Sequence, residues 1–244
     1  MLLAIDAGNT RSKWAVFEND TVVDFDSCTN NALENELKKI LKIHPKIQNA
    51  IFSSVTHSSE KEIDFLKSIM YVKVVSRNDA FPFVNLYKSP ETLGIDRMIL
   101  SASAVLKFPN TNRFIIDAGS CITYDFVDEQ NQYHGGAISP GLQMRYNAMH
   151  HFTAKLPQLE VSEINDFVGQ DTTTSMHSGV VNGVIGEINH MIQSIVGDSE
   201  NFTIILTGGD TVFLAKRLKS TIFAHSNFLL EGLNRYFYFL KKHA

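Results

Sequence analysis

The chain has 244 residues, 44% of them hydrophobic and 20% charged, with a formal net charge of -4 at pH 7. That composition suits one large core or two smaller ones, and the length suits one to two domains. The slightly negative balance argues against a nucleic-acid partner, and no apolar run approaches the ~18 residues of a membrane span.

Two cysteines, Cys28 and Cys121, match neither a metal-ligand nor a disulfide pattern. The start, MLLAIDAGNT, has no basic lead and carries Asp6, so no signal peptide is expected there and a cytoplasmic setting is.

In chain order, residues 2–5 are a short apolar run ending in Asp6-Ala7-Gly8-Asn9-Thr10. Residues 13–17 read as the return strand of a hairpin, followed by a turn at Glu18-Asn19-Asp20 and more extended sequence. A helix is expected over 31–43, where Leu33, Leu37, Ile40 and Leu41 recur at helical spacing and Pro45 punctuates the end. Residues 50–55 read as a buried strand, 60–70 as a helix and 72–75 as a strand. Gly94-Ile95-Asp96-Arg97 opens a helix over 97–106, ended by Pro109.

The order then repeats. Residues 114–116 are apolar and end in Asp117-Ala118-Gly119-Ser120-Cys121, and 122–127 form the return strand before the turn Asp128-Glu129-Gln130-Asn131. Gly135-Gly136-Ala137-Ile138-Ser139-Pro140-Gly141 is expected as a rigid, close-packed turn, a pocket wall without acid, base or nucleophile. A helix over 179–196 and a buried strand over 202–206 lead into Thr207-Gly208-Gly209-Asp210, and helices over 212–218 and 229–240 close the chain. The repeat implies two α/β domains of related topology, 1–110 and 111–244, joined near residues 109–113.

Glycine in each Asp-x-Gly turn lets the backbone approach an anion closely, while Asn9 and Thr10 add donors and Asp6 can hold Mg²⁺. One such turn is ordinary hairpin chemistry; the same turn opening both halves reads as a pair of phosphate handles. Gly208 and Gly209, between a strand and a helix, admit a flat ligand such as adenine, although taken alone they are equally a plain connection. Asp96, taken alone, is most simply a helix cap worth ~1 kcal/mol. Its functional reading is a carboxylate that accepts the proton of a substrate hydroxyl, beside an Arg97 able to grip a carboxylate. His150 and His151 are adjacent and point apart on a helix, so they are not read as ligands. Tyr236, Phe237, Tyr238 and Phe239 read as a docked terminal helix.

These segments, in this order, closely resemble the type III pantothenate kinase family of the actin, hexokinase and acetate kinase ATPase superfamily. The first Asp-x-Gly turn, Gly94-Ile95-Asp96-Arg97, the second turn and the 135–141 run carry the likeness. Leu156-Pro157, Gly169-Gln170-Asp171-Thr172 followed by Ser178-Gly179, and Leu230-Glu231-Gly232-Leu233 extend it over nearly the whole chain. The resemblance implies an α/β fold of two duplicated ribonuclease H-like domains facing each other across a nucleotide cleft, with Asp6, Asp96 and Asp117 converging on it. It also implies ATP-dependent phosphorylation of pantothenate to 4'-phosphopantothenate, the first step of coenzyme A biosynthesis.

By the same resemblance Asp6, Ala7, Gly8, Asn9, Thr10, Arg11, Ser12 and Lys13 bind ATP phosphates, with Asp6 helping to hold Mg²⁺. Ser120, Gly208 and Gly209 also serve ATP. Tyr87, Gly94, Ile95 and Arg97 line the pantothenate pocket, and Asp96 is the proton acceptor. Asp117 binds a monovalent cation, potassium or ammonium, and Thr172 contacts substrate across the interface of a homodimer. Ser120 stands where the family usually has Thr, and Cys121 where Ala is common; both changes leave the catalytic groups intact. The rivals are a kinase of the same superfamily for another small acceptor and a non-catalytic accessory or regulatory protein of this fold.

Overall fold

Strand β1 (Leu2–Ala7) is buried along its whole length in the computed structural model, which describes residues 1–54, 59–164, 166–197, 199–218 and 220–243. β1 pairs antiparallel with β2 (Arg11–Glu18) and parallel with β4 (Asn49–Ser54). β3 (Thr21–Thr29) extends the sheet beyond β2 and β5 (Tyr71–Val74) beyond β4, giving the order β3-β2-β1-β4-β5. Val55, expected to end the strand of β4, lies outside the described residues.

Side chains alternate across a strand. Leu3, Ile5 and Ala7 therefore share one face with Trp14, Val16, Ala50 and Phe52. There they meet Leu33, Leu37 and Ile40 of α1 (Leu33–Ile43) and Leu66 of α2 (Glu60–Lys67). Leu2, Ala4 and Asp6 face the other side, which α3 (Ile95–Lys107) and α7 (Phe228–His243) cover. α7 approaches α3 at Gly232, where a Cβ would stand 2.8 Å from Ser103 Cβ. The terminal aromatics dock as expected: Tyr236 stacks on Phe81 at 4.9 Å and donates its hydroxyl to the Ala80 carbonyl at 3.0 Å.

β7 (Asn112–Ala118) repeats the role of β1. It is antiparallel to β8 (Cys121–Val127) and parallel to β10 (Phe202–Thr207), with β9 (Gln132–Pro140) beside β8 and β11 (Phe223–Ala224) beside β10. The order β9-β8-β7-β10-β11 matches the first sheet strand for strand, so the duplication read from the two Asp-x-Gly turns is a duplication of topology. A short β6 (Val84–Asn85) pairs with Gln132 and Tyr133 at the start of β9. Phe114, Ile116 and Ala118 pack with α4 (Leu142–Phe152), α5 (Thr172–Ile195) and α6 (Thr211–Ala215). Two compact units result: Met1–Pro109 with Asn131–Tyr133 and Asn227–Ala244, and Asn110–Gln130 with His134–Ser226.

Four expected elements differ, among them the helix expected over 212–218, which spans Thr211–Ala215. The 135–141 run is not a turn but the second half of β9 and the cap of α4. Gly136 lacks the Cβ that would overlap the Tyr124 carbonyl of the next strand, so the glycine serves close strand contact rather than reversal. α5 starts at Thr172 instead of 179, because a capping box between Asp171 and Thr174 nucleates a run of helix-poor hydroxyl residues. The helix expected over 60–70 ends at Lys67, where the Ser68 hydroxyl donates to the Phe65 carbonyl at 2.6 Å.

Candidate active site

The first turn leaves β1 at Asp6, which is 8% exposed, and re-enters the sheet at Arg11. Gly8 N–H donates to the Arg11 carbonyl at 3.2 Å. Asn30 clasps this turn from the end of β3: its amide donates to the carbonyls of Gly8 (3.0 Å) and Asn9 (3.3 Å), and its Oδ1 accepts from the Ser12 hydroxyl at 2.9 Å. Lys13 and Ser53 are the in-register neighbours of Asp6 on β2 and β4, so all three side chains leave the sheet on one face. Arg11 is exposed, and its guanidinium is held by Ser27.

α3 begins with Gly94 as its cap residue and no side-chain cap, so Asp96 is not the helix cap that its position alone suggests. Its Oδ1 accepts the Arg97 N–H at 2.8 Å. A side chain at 94 would collide with that oxygen, which gives the Gly-x-Asp-Arg spacing a steric reason. Arg97 is 5% exposed and its guanidinium lies 5.9 Å from the centre of the Tyr87 ring, so two predicted pocket residues do meet. Arg77 Nε braces the approach by donating to the Leu93 carbonyl at 2.7 Å.

In the other unit the second turn gathers three of the glycine motifs. Gly208 has φ +97, and a Cβ on it would overlap the Ala118 carbonyl and lie 2.5 Å from Asp117 Oδ1. Asp210 N–H donates to that same carbonyl at 3.0 Å, while the space beside Gly209 is open. Gly141 abuts the carbonyls of Gly119 and Ser120, and its N–H donates to the latter at 3.1 Å. Ser120 is exposed at the tip. Thr172 stands apart, exposed at the first position of α5.

Among the described residues no group of three or more His, Cys, Asp or Glu side chains could hold a metal ion. Mg²⁺ carried by nucleotide phosphates needs less, namely one or two carboxylates with other oxygens. The donors present fit that demand. Ser53 beside Asp6 is fully buried, and its Oγ finds no hydrogen-bond partner among the described residues. Thr123, in register with Asp117, has an Oγ1 in the same condition. Two recesses lie elsewhere: about 520 Å³ beside Arg235, Tyr238 and Lys242, and about 210 Å³ beside Glu163, Asp171 and His177. Neither is lined by a predicted site residue. No described helix is long and apolar enough to cross a membrane.

A model of the type III pantothenate kinase family matches residues 2–194. The chain belongs to that family. A type III pantothenate kinase of Flavobacterium psychrophilum is 51% identical over 241 residues, 99% of this chain and 100% of its own. Two solved structures share the fold at low identity. The activator of the 2-hydroxyisocaproyl-CoA dehydratase from Clostridium difficile, with bound ADPNP, has TM-score 0.59 at 12% identity and covers 99% of this chain and 96% of its own. A glucokinase from an Antarctic psychrotroph has TM-score 0.51 at 11% identity over 97% and 98%. The chain thus shares its overall fold with that activator and with that glucokinase.

Two side chains that support these pantothenate kinase motifs were not singled out from the sequence. Asn30 lies 22 residues from Gly8, and only its place in an Asn-Asn pair at the end of an extended stretch hinted at a turn. Glu187 reads as one more polar position on an apolar-faced helix, although its carboxylate receives three donors.

Proposed function

We propose that this chain transfers the terminal phosphoryl group of ATP to the primary hydroxyl of pantothenate, giving 4'-phosphopantothenate on the way to coenzyme A. The arrangement at the start of α3 carries this reading: a carboxylate given room by Gly94, beside a buried Arg97 that meets Tyr87. In-line phosphoryl transfer depends on positioning and charge neutralisation rather than covalent help. Asp96 accepts the hydroxyl proton as the oxygen–phosphorus bond forms. Arg97 holds the pantothenate carboxylate, and Tyr87, Gly94 and Ile95 shape the pocket around it.

Asp6 and the backbone and side chains of Ala7, Gly8, Asn9, Thr10, Arg11, Ser12 and Lys13 bind the phosphates. Ser120 adds a hydroxyl, and Gly208 and Gly209 flank the adenosine. Asp6 is the residue to hold Mg²⁺ and Asp117 the one to hold potassium or ammonium; such ions supply neutralising charge to the phosphate oxygens. A cytoplasmic homodimer, with Thr172 reaching the partner's substrate, completes the reading. The test offers purified protein ATP with pantothenate, N-acetylhexosamines or acetate, with and without potassium, in a coupled assay. Turnover with pantothenate alone, raised by potassium, is expected; preference for another acceptor, or none, would overturn it.

A further inference from the structure

We propose that Glu187 is a positioning residue for phosphoryl transfer, holding the second Asp-x-Gly turn in shape from behind. This rests on the reading of Asp117 and Ser120 as part of the nucleotide and cation site. Glu187 sits in the middle of α5, and its carboxylate collects donors from three other elements. Oε1 accepts from the Tyr124 hydroxyl at 2.7 Å and from the Ser139 hydroxyl at 2.5 Å, and Oε2 accepts from Arg145 Nη2 at 2.5 Å. Arg145 Nε also donates to the Pro140 carbonyl at 2.9 Å. Carboxylate and guanidinium thus hold the Ser139 hydroxyl and the Pro140 carbonyl.

The residue after Pro140 is Gly141, the cap of α4, whose N–H donates to the Ser120 carbonyl and whose bare Cα touches the turn backbone. Tyr124 lies on β8, the strand that leaves the same turn, and Gly136 presses on its carbonyl. One carboxylate therefore fixes both the outgoing strand of the turn and the strand end that backs it. The protonation states suit this. Burial alone would raise the Glu187 carboxyl, but the donors Ser139, Arg145 and Tyr124 outweigh it and hold the group below its ordinary value. Burial, then the hydrogen bond to Glu187, drives the Tyr124 hydroxyl upward. At neutral pH an ionised acceptor faces three charged or neutral donors, the stronger kind of hydrogen bond.

A turn held this way should matter for nucleotide and cation more than for acceptor. Glu187→Gln keeps the volume but withdraws the charge from Arg145. We expect KM for ATP and the half-activating potassium concentration to rise about 10-fold, with KM for pantothenate changed less than about 2-fold. Ser139→Ala, which removes a single hydroxyl, should shift the same constants in the same direction by a smaller factor. A purely structural role would instead lower the thermal midpoint and scale down kcat, with all KM values unmoved; that result in the folded Ser139→Ala protein, or in Glu187→Gln, overturns the proposal. Asp117→Asn measured alongside separates the two claims. If it leaves the ATP and potassium constants unchanged, the reading of the turn fails; if it moves them and Glu187→Gln does not, only the positioning role fails.

Discussion

At the start of α3 the absent side chain of Gly94 leaves the volume into which the Asp96 carboxylate reaches, and Arg97 N–H holds one of its oxygens at 2.8 Å. Two substitutions probe this corner. Asp96→Asn should preserve the circular dichroism spectrum while lowering kcat about 10²-fold, because the amide cannot take the proton; near-normal turnover would retire the assignment. Gly94→Ala tests the geometry instead of the chemistry. Its backbone conformation, φ -59 and ψ 136, is open to alanine, so stability should change little, but the new Cβ collides with Asp96 Oδ1. Turnover should fall by about 10-fold or more as the carboxylate is displaced; unaltered kinetics would mean that the observed rotamer is not the working one. Asp96 and Arg97 were singled out in the sequence through the resemblance of Gly94-Ile95-Asp96-Arg97 to a family motif, because Asp96 taken alone reads as a cap. Asn30 was not, since its contacts arise only when β3 returns beside β2.

Among the elements, β9 shows how a composition signal can be right about backbone and wrong about shape. Three glycines and a proline mark tight packing, and tight packing is what Gly136 and Gly141 provide, yet the segment is extended because its partners are adjacent strands. α5 shows the reverse: four consecutive hydroxyl residues look helix-poor until the Asp171 cap is counted. Gly208 makes a prediction at this scale. Its φ of +97 and the Ala118 carbonyl against it leave no place for a side chain. Gly208→Ala should therefore cost about 1–3 kcal/mol, read as a lowered denaturant midpoint at unchanged slope. A neutral effect would mean that the connection between β10 and α6 can rearrange freely.

Over the whole molecule, duplication was the most legible feature, because each half writes strand, Asp-x-Gly turn and return strand in the same order, and both sheets then share one strand order. Its pH range follows from groups in both halves. Glu187 has a folded pKa below its ordinary 4.5, so its contribution is fully present above 4.5 and is lost as pH falls through the lower folded value. Burial pushes the Tyr146 hydroxyl up from 10.0 to about 12, so the unfolded chain ionises first and stability declines as pH rises from 10 toward 12. Burial, then the hydrogen bond to Glu187, also raises Tyr124, while burial, then the nearby Asp79 charge, raises Tyr236; both act in the same direction. The thermal midpoint against pH should show a plateau that drops at both ends, and a profile still rising above pH 10 would contradict that.

The most direct test follows the phosphorus itself. Protein incubated with pantothenate and ATP labelled at the terminal phosphate should yield labelled phosphopantothenate in step with ADP, and Asp96→Asn should yield far less. Label that stays on ATP, or appears only as free phosphate whether or not pantothenate is present, would contradict the assignment of this chain as a pantothenate kinase.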